Sequence, residues 1–150
     1  KKILTEFLVN ESNLNSSKRY NIRFIGDRNF LSKEINTKID YIEKLRKNSK
    51  KYLIIYLNYS GKNDINQAAK KFKLSRNKNI SFTKHLSSSP YPDPEILIRT
   101  GGFNRISDFF IYQLTFTEFF FIKKLWPDLR NTDVSKIIRN YYSIERKFGR

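Results

Sequence analysis

The 150-residue sequence contains no cysteine, no methionine and a single histidine, His85. Without cysteine there is no disulfide framework and no thiolate metal site. One histidine is too few for a multi-histidine zinc centre. No apolar run approaches the roughly 18–20 residues of a membrane span, and the N-terminus carries no signal-peptide pattern. The missing methionine removes an initiator, and the chain opens Lys1-Lys2-Ile3 inside a helical pattern, which predicts a piece of a longer protein. Acidic residues are scarce as well, with 14 Asp+Glu against 30 Lys+Arg and a formal net charge of +16. That balance favours an anionic partner: nucleic acid, an anionic membrane surface or a phosphorylated ligand. A lysine- and asparagine-rich solvated surface produces the same balance without any partner. The lysines are dispersed over 1–2, 44–51, 70–78 and 123–124, and no nucleic-acid-binding motif accompanies them, so no nucleic-acid partner is expected. Hydrophobic residues make up 39% and aromatics 15%, enough to exclude a disordered chain and to supply one ordinary domain with a core.

Alternating patterns predict the order of elements. Ile3, Leu4, Phe7 and Leu8 recur at helical spacing over residues 1–14, and an Asn/Ser cluster follows. Tyr20 to Ile25 reads as a strand closed by Gly26-Asp27. Ile35, Ile39, Ile42 and Leu45 fall on one helical face. Tyr52 to Leu57 is a near-continuous apolar run, the pattern of a strand buried on both faces. Asn58 to Gly61 is the next strand-to-helix turn, with Asn63-Asp64 opening a helix that buries Ile65, Ala68, Ala69 and Phe72. A short helix is expected near Phe82–Leu86. Pro90, Pro92 and Pro94 then stiffen the approach to a strand at Ile96–Ile98. Asp108 to Leu114 reads as helix, Glu118 to Ile122 as a last strand, and Val134, Ile137, Ile138 and Tyr141 as a final helix capped by Asn131 or Thr132. This alternation predicts an α/β fold with a mainly parallel sheet flanked by helices, in a single domain over 1–150. Ligands of such sheets sit beyond the C-terminal strand ends, where Gly26-Asp27, Asn58–Gly61 and Arg99–Gly102 all fall.

The segment after Ile98 carries the densest chemistry: Arg99, Thr100, the pair Gly101-Gly102, Arg105 and Ser107. Glycines let backbone amides approach an anion, and arginines supply forked donors that match phosphate oxygens. A diphosphate clamp and a surface salt-bridge pair both fit these residues. Glu118 stands among Phe116, Phe119, Phe120 and Phe121. Such a carboxylate must be paired, protonated or metal-bound, unless it faces water from an edge strand. The aromatics Phe109, Phe110, Tyr112, Phe116, Phe119, Phe120 and Phe121 read as core in preference to a base-stacking platform.

Ile98-Arg99-Thr100-Gly101-Gly102, then Arg105-Ile106-Ser107 and Phe109, then Thr117-Glu118 and Phe121, then Leu125-Trp126-Pro127-Asp128, and finally Glu145-Arg146 with Phe148-Gly149 occur in one order and spacing. In this it resembles the C-terminal half of the cis-prenyltransferases, the undecaprenyl diphosphate synthase type. The strong resemblance covers roughly Pro92 to Gly149, and Asn58, Gly61 and Lys62 resemble that family's Asn-Tyr-Gly-Gly-Arg turn. The resemblance implies the cis-prenyltransferase fold lacking its N-terminal part. It implies condensation of isopentenyl diphosphate onto an allylic diphosphate to give a long polyprenyl diphosphate lipid carrier. Arg99, Arg105 and Ser107 would bind isopentenyl diphosphate, and Glu118 would assist a Mg²⁺ ion. Lys147 and Gly149 of the C-terminal tail would reach diphosphate in a partner subunit. A homodimer, or a heterodimer with a catalytic subunit, is implied too, in the cytoplasm with peripheral membrane contact through the product.

The departures are as specific. Phe103 stands where the family has glutamate, Ser60 and Lys62 replace glycine and arginine, and Lys147 stands for an arginine, keeping the charge and losing the fork. The family's Asp-Gly-Asn-x-Arg-Trp motif, whose aspartate is catalytic and whose loop binds the allylic diphosphate, is not in the sequence, nor is its Ser-x-Glu-Asn-Trp segment. No catalytic residue is therefore expected in this chain, and little activity from it alone. The alternative is a non-catalytic partner subunit of a heteromeric prenyltransferase.

Overall fold

The computed structural model describes residues 6, 20–45, 49–77 and 79–146, which divide into two compact units, Lys1–Tyr59 and Ser60–Arg150. The expected helix over 1–14 lies, apart from Glu6, outside the described residues, as do Lys147 and Gly149.

In the first unit, β1 (Asn21–Gly26) and β2 (Tyr52–Leu57) pair in parallel, from Asn21 opposite Tyr52 to Gly26 opposite Leu57. Between them runs α1 (Lys33–Leu45), headed by Ser32, whose hydroxyl accepts from the Ile35 amide at 3.4 Å. Ile39 and Ile42 of α1 are buried against Ile22 and Phe24 of β1 and against Leu31, as their helical spacing predicts. Leu45, the last member of that face, is exposed. Contrary to the reading of β2 as buried on both faces, Tyr52 and Leu53 are exposed and the other four residues half-buried. Gly26 closes β1 with φ 116, and a Cβ there would collide with the Leu57 carbonyl oxygen. This position admits glycine alone without strain.

The second unit begins with α2 (Gly61–Leu74), followed by a 3₁₀ turn at Phe82–His85. β3 (Ile96–Arg99) and β4 (Glu118–Phe121) pair in parallel, and α3 (Asn131–Ser143) follows a second 3₁₀ turn at Trp126–Asp128. The N-cap of α2 is Ser60, ahead of the expected Asn63-Asp64. Asp64 is buried and accepts from the Ser87 amide and hydroxyl, both at 2.9 Å. The N-cap of α3 is Arg130 in place of Asn131 or Thr132, because Asp133 Oδ2 accepts from the Arg130 amide at 2.9 Å. Two expectations fail around β4. Asp108–Leu114 is a run of turns, with Asp108 and Phe110 at φ 63 and 51, values a right-handed helix excludes. Phe109, Tyr112, Phe116, Phe119 and Phe121 are exposed, while Leu114 and Gln113 are the buried members of that segment.

Candidate functional site

β3 ends at Arg99, opposite Phe121 of β4, and the chain leaves through Gly101 and Gly102 at φ 85 and 78. That backbone region disfavours any residue with a Cβ, so the glycine pair makes the exit from the strand feasible. Their amides do not face outward as the sequence suggests. Gly101 N donates to Lys124 O at 2.9 Å, Gly102 N to Ile122 O at 3.0 Å, and Ile122 N returns a bond to Arg99 O at 2.8 Å. The loop is laced to the segment after β4, and what it offers to solvent is cationic side chains.

Arg99, Arg105 and Ser107 are brought together. Arg99 Nη1 donates to the Arg105 carbonyl oxygen and to Ser107 Oγ, the latter at 3.1 Å. The guanidinium carbons of Arg99 and Arg105 lie over one ring, that of Phe103, at 5.7 and 4.6 Å from its centroid. Among the described residues neither guanidinium has a carboxylate partner, so the salt-bridge reading of these arginines has no support there.

The far end of the loop is fixed by Asp108, a residue whose role the sequence reading missed. Its Oδ2 accepts from Ser60 Oγ at 2.6 Å and its Oδ1 from the Lys62 amide at 2.9 Å. Its carbonyl oxygen accepts from the Gly61 amide at 2.7 Å. Ser60 Oγ accepts in turn from Asn63 N at 3.1 Å. Three otherwise orphaned amides at the start of α2 are thus satisfied, two of them by Asp108. The Ser60 hydrogen bond foremost, then the Lys62 amide, hold the Asp108 carboxyl below the usual carboxylate range. These demands turn residues 107–110 away from helix. The local sequence signal for the role is the Asp beside Ser107 together with a Ser-Gly turn at Ser60-Gly61, two pieces separated too far for pattern reading to join.

Glu118 is not brought to this cluster. It opens β4 opposite Ile96, whereas Arg99 closes β3 opposite Phe121. Three residues of strand rise separate the two ends, about 10 Å. The Glu118 side chain is one-third exposed, with Arg146 Nε at 4.0 Å from its Oε1. Arg146 also donates to Tyr141 Oη at 2.5 Å and to the Phe116 carbonyl oxygen at 3.1 Å, and Tyr141 Oη donates to Glu95 at 3.2 Å. A Mg²⁺ ion binds oxygen at about 2.1 Å through one or two carboxylates and substrate phosphates. Glu118 and Arg99 stand at opposite strand ends, and Arg146 Nε lies 4.0 Å from Glu118 Oε1. Among the described residues no group of three or more His, Cys, Asp or Glu gathers in metal-binding fashion. One carboxylate beside substrate phosphates is a usual arrangement for Mg²⁺, so Glu118 is the residue that would hold the ion if a diphosphate reached it.

The second unit is a parallel α/β arrangement in which two arginines, without carboxylate partners among the described residues, and a hydroxyl gather at a C-terminal strand end, the place where such sheets bind ligands. The chain belongs to the prenyltransferase family described as putative undecaprenyl diphosphate synthase, which it matches over residues 1–149. It is 34% identical over 137 residues to a tritrans,polycis-undecaprenyl-diphosphate synthase (geranylgeranyl-diphosphate specific) of Pyrobaculum aerophilum, covering 86% of this chain and 58% of that protein. It is 35% identical to an isoprenyl transferase of Aquifex aeolicus, covering 99% of this chain and 68% of that one. The crystal structure of lavandulyl diphosphate synthase from Lavandula x intermedia in complex with dimethylallyl diphosphate is similar with a TM-score of 0.89 and 32% identity, over 99% of this chain and 69% of that one. The fold is thus that of the cis-prenyltransferases, and the chain spans only 58% of the length of the Pyrobaculum relative. Among the described residues no helix is long and apolar enough to cross a membrane.

Proposed function

We propose that this chain supplies the isopentenyl-diphosphate half of a cis-prenyltransferase site. In the reaction the allylic diphosphate loses pyrophosphate, a carbon–carbon bond forms to the double bond of isopentenyl diphosphate, and a proton leaves the lengthened chain. Repetition yields a polyprenyl diphosphate. Arg99 and Arg105 hold the isopentenyl diphosphate through forked donors and Ser107 adds a hydroxyl, so that the retained diphosphate stays fixed while the double bond reacts. One observation carries this reading: two guanidiniums without carboxylate partners converge with a hydroxyl on a single loop at a C-terminal strand end. The names of the relatives, with geranylgeranyl and dimethylallyl diphosphate in them, support an allylic diphosphate as the second substrate. No step is assigned to Mg²⁺; Glu118 would be the carboxylate that holds it beside the substrate phosphates. A second copy of the chain, or a catalytic subunit, is the expected partner, and the exposed Phe119, Phe121 and Trp126 offer apolar surface for it.

The test is calorimetric titration of the 150-residue chain with isopentenyl diphosphate. Arg99→Ala and Arg105→Ala are each expected to weaken binding by about 10-fold or more, the worth of hydrogen bonds to charged groups. Unchanged affinity in both variants would refute the assignment. The same preparation is expected to show little or no transfer of radiolabelled isopentenyl units, since the Asp-Gly-Asn-x-Arg-Trp motif is not in the sequence. Transfer that appears only when a separate catalytic homologue is added supports the partner-subunit reading.

A further inference from the structure

Phe103 is half-exposed at 51%, on the loop that follows Arg99 and carries Arg105 and Ser107. Its recorded ring contacts are the guanidiniums of Arg99 and Arg105, centred over it at 5.7 and 4.6 Å. The aromatic face carries the negative lobe of the ring quadrupole, so it attracts both cations without neutralising either. A carboxylate at this position would compete for the same N–H groups that a phosphate needs and would cancel one charge. An aromatic face leaves forked donors available at the guanidinium edges. We propose that Phe103 is a positioning residue of the diphosphate site, pre-ordering Arg99 and Arg105 while leaving both charges uncancelled.

Two further features agree. Arg99 Nη1 is engaged with the Arg105 carbonyl oxygen and Ser107 Oγ, which fixes one edge of that guanidinium in the loop. Arg105 has no such hydrogen bond among the described residues and relies on the ring alone, at the shorter of the two distances. The ring therefore matters most for Arg105. Long side chains that are ordered before the ligand arrives lose less rotamer freedom on binding it.

The proposal rests on the assignment of Arg99, Arg105 and Ser107 to a diphosphate, and its test separates the two. The full chain is titrated calorimetrically with inorganic pyrophosphate, as wild type, Arg99→Ala, Phe103→Leu and Phe103→Tyr. A further series replaces Phe103 by mono-, di- and trifluorophenylalanine. Fluorine drains the ring face of negative charge at nearly constant shape, so a merely structural ring would give a flat series. Phe103→Leu is expected to weaken pyrophosphate binding by about 5-fold to 10-fold, with Phe103→Tyr within about 2-fold of wild type and a stepwise loss along the fluorinated series. A flat fluorinated series, or a Leu variant that binds within about 2-fold of wild type, overturns the role of Phe103 while the site stands. A wild-type chain that fails to bind pyrophosphate, or an Arg99→Ala variant that binds as wild type does, overturns the site and the role together.

Discussion

Gly61→Ala sets two effects of opposite sign against each other. Gly61 is the first residue of α2 and its φ lies outside the left-handed range, so alanine suits its backbone. Replacing glycine by alanine in a helix gains up to about 1 kcal/mol, and less at the first position. Against that, a Cβ on Gly61 would stand 2.9 Å from the Asp108 carbonyl oxygen, 3.0 Å from Ile111 Cγ1 and 3.2 Å from the Ile111 amide nitrogen. Two of the three atoms are backbone, so neither can rotate aside. Ordinary contact begins near 3.4 Å, which means Asp108 must retreat by about half an ångström. The retreat stretches the 2.7 Å bond from Gly61 N to Asp108 O and disturbs the carboxylate bonds to Ser60 and Lys62. Overpacking of this kind costs about 1–3 kcal/mol. The net expectation is a loss of about 1–2 kcal/mol, read as a urea midpoint lower by about 0.5–1 M. Because Asp108 adjoins Ser107, pyrophosphate affinity should fall as well. A variant as stable as wild type, or more so, would show that helix propensity dominates and that the Gly61–Asp108 contact is not a constraint.

Gly26→Ala should be destabilised by about 2–4 kcal/mol, from left-handed strain and the collision with Leu57 O, visible as a lower thermal midpoint; a midpoint within a degree of wild type would contradict it. The Asp108 carboxyl, held low first by Ser60 and then by the Lys62 amide, makes a link that depends on pH. Its folded-state pKa is depressed, so its contribution is present above the unfolded value and is lost as pH falls through the folded one. Urea midpoints of wild type and Asp108→Asn should therefore differ near neutrality and draw together as pH falls below the ordinary aspartate range, whereas a gap that stays constant throughout would remove the carboxylate from the account.

Much of the fold can be read in the residues, because its determinants are local. Ile35, Ile39 and Ile42 recur at helical spacing and Ile39 and Ile42 are buried, while the apolar runs at 21–26, 52–57 and 96–99 are strands in parallel pairs. Arg99, Arg105 and Ser107 were likewise candidates from residue type, and they do gather. What eluded pattern reading depends on distant partners. The apolar spacing in 108–114 suits a helix, but Asp108 is recruited by Ser60, Gly61 and Lys62, nearly fifty positions earlier, and its left-handed backbone ends the helical option. The aromatic richness of 109–121 suggests a core, yet alternation along β4 turns Phe119 and Phe121 outward. Glu118 among its phenylalanines leaves pairing and metal binding both open, and Arg146, twenty-eight residues on, lies beside it.

The glycine pair shows why residue type and role have to be separated. In an amide cradle the glycine N–H groups point at the anion, and the backbone itself recognises the ligand. Here both amides donate to carbonyl oxygens of the segment after β4, so Gly101 and Gly102 are required for their φ values of 85 and 78. Recognition falls to the side chains between two anchors. One anchor is the lacing of Gly101 and Gly102 to Lys124 and Ile122; the other is Asp108 at the start of α2. Between them, residues 103–107 carry Phe103, Arg105 and Ser107, and Arg99 reaches in from the strand end. On the proposed assignment, a span fixed at both ends and supplied with two uncancelled guanidiniums discriminates by charge and fork geometry, and it suits a ligand with several oxygens on adjacent phosphorus atoms better than a single carboxylate, because two forks can be filled at once.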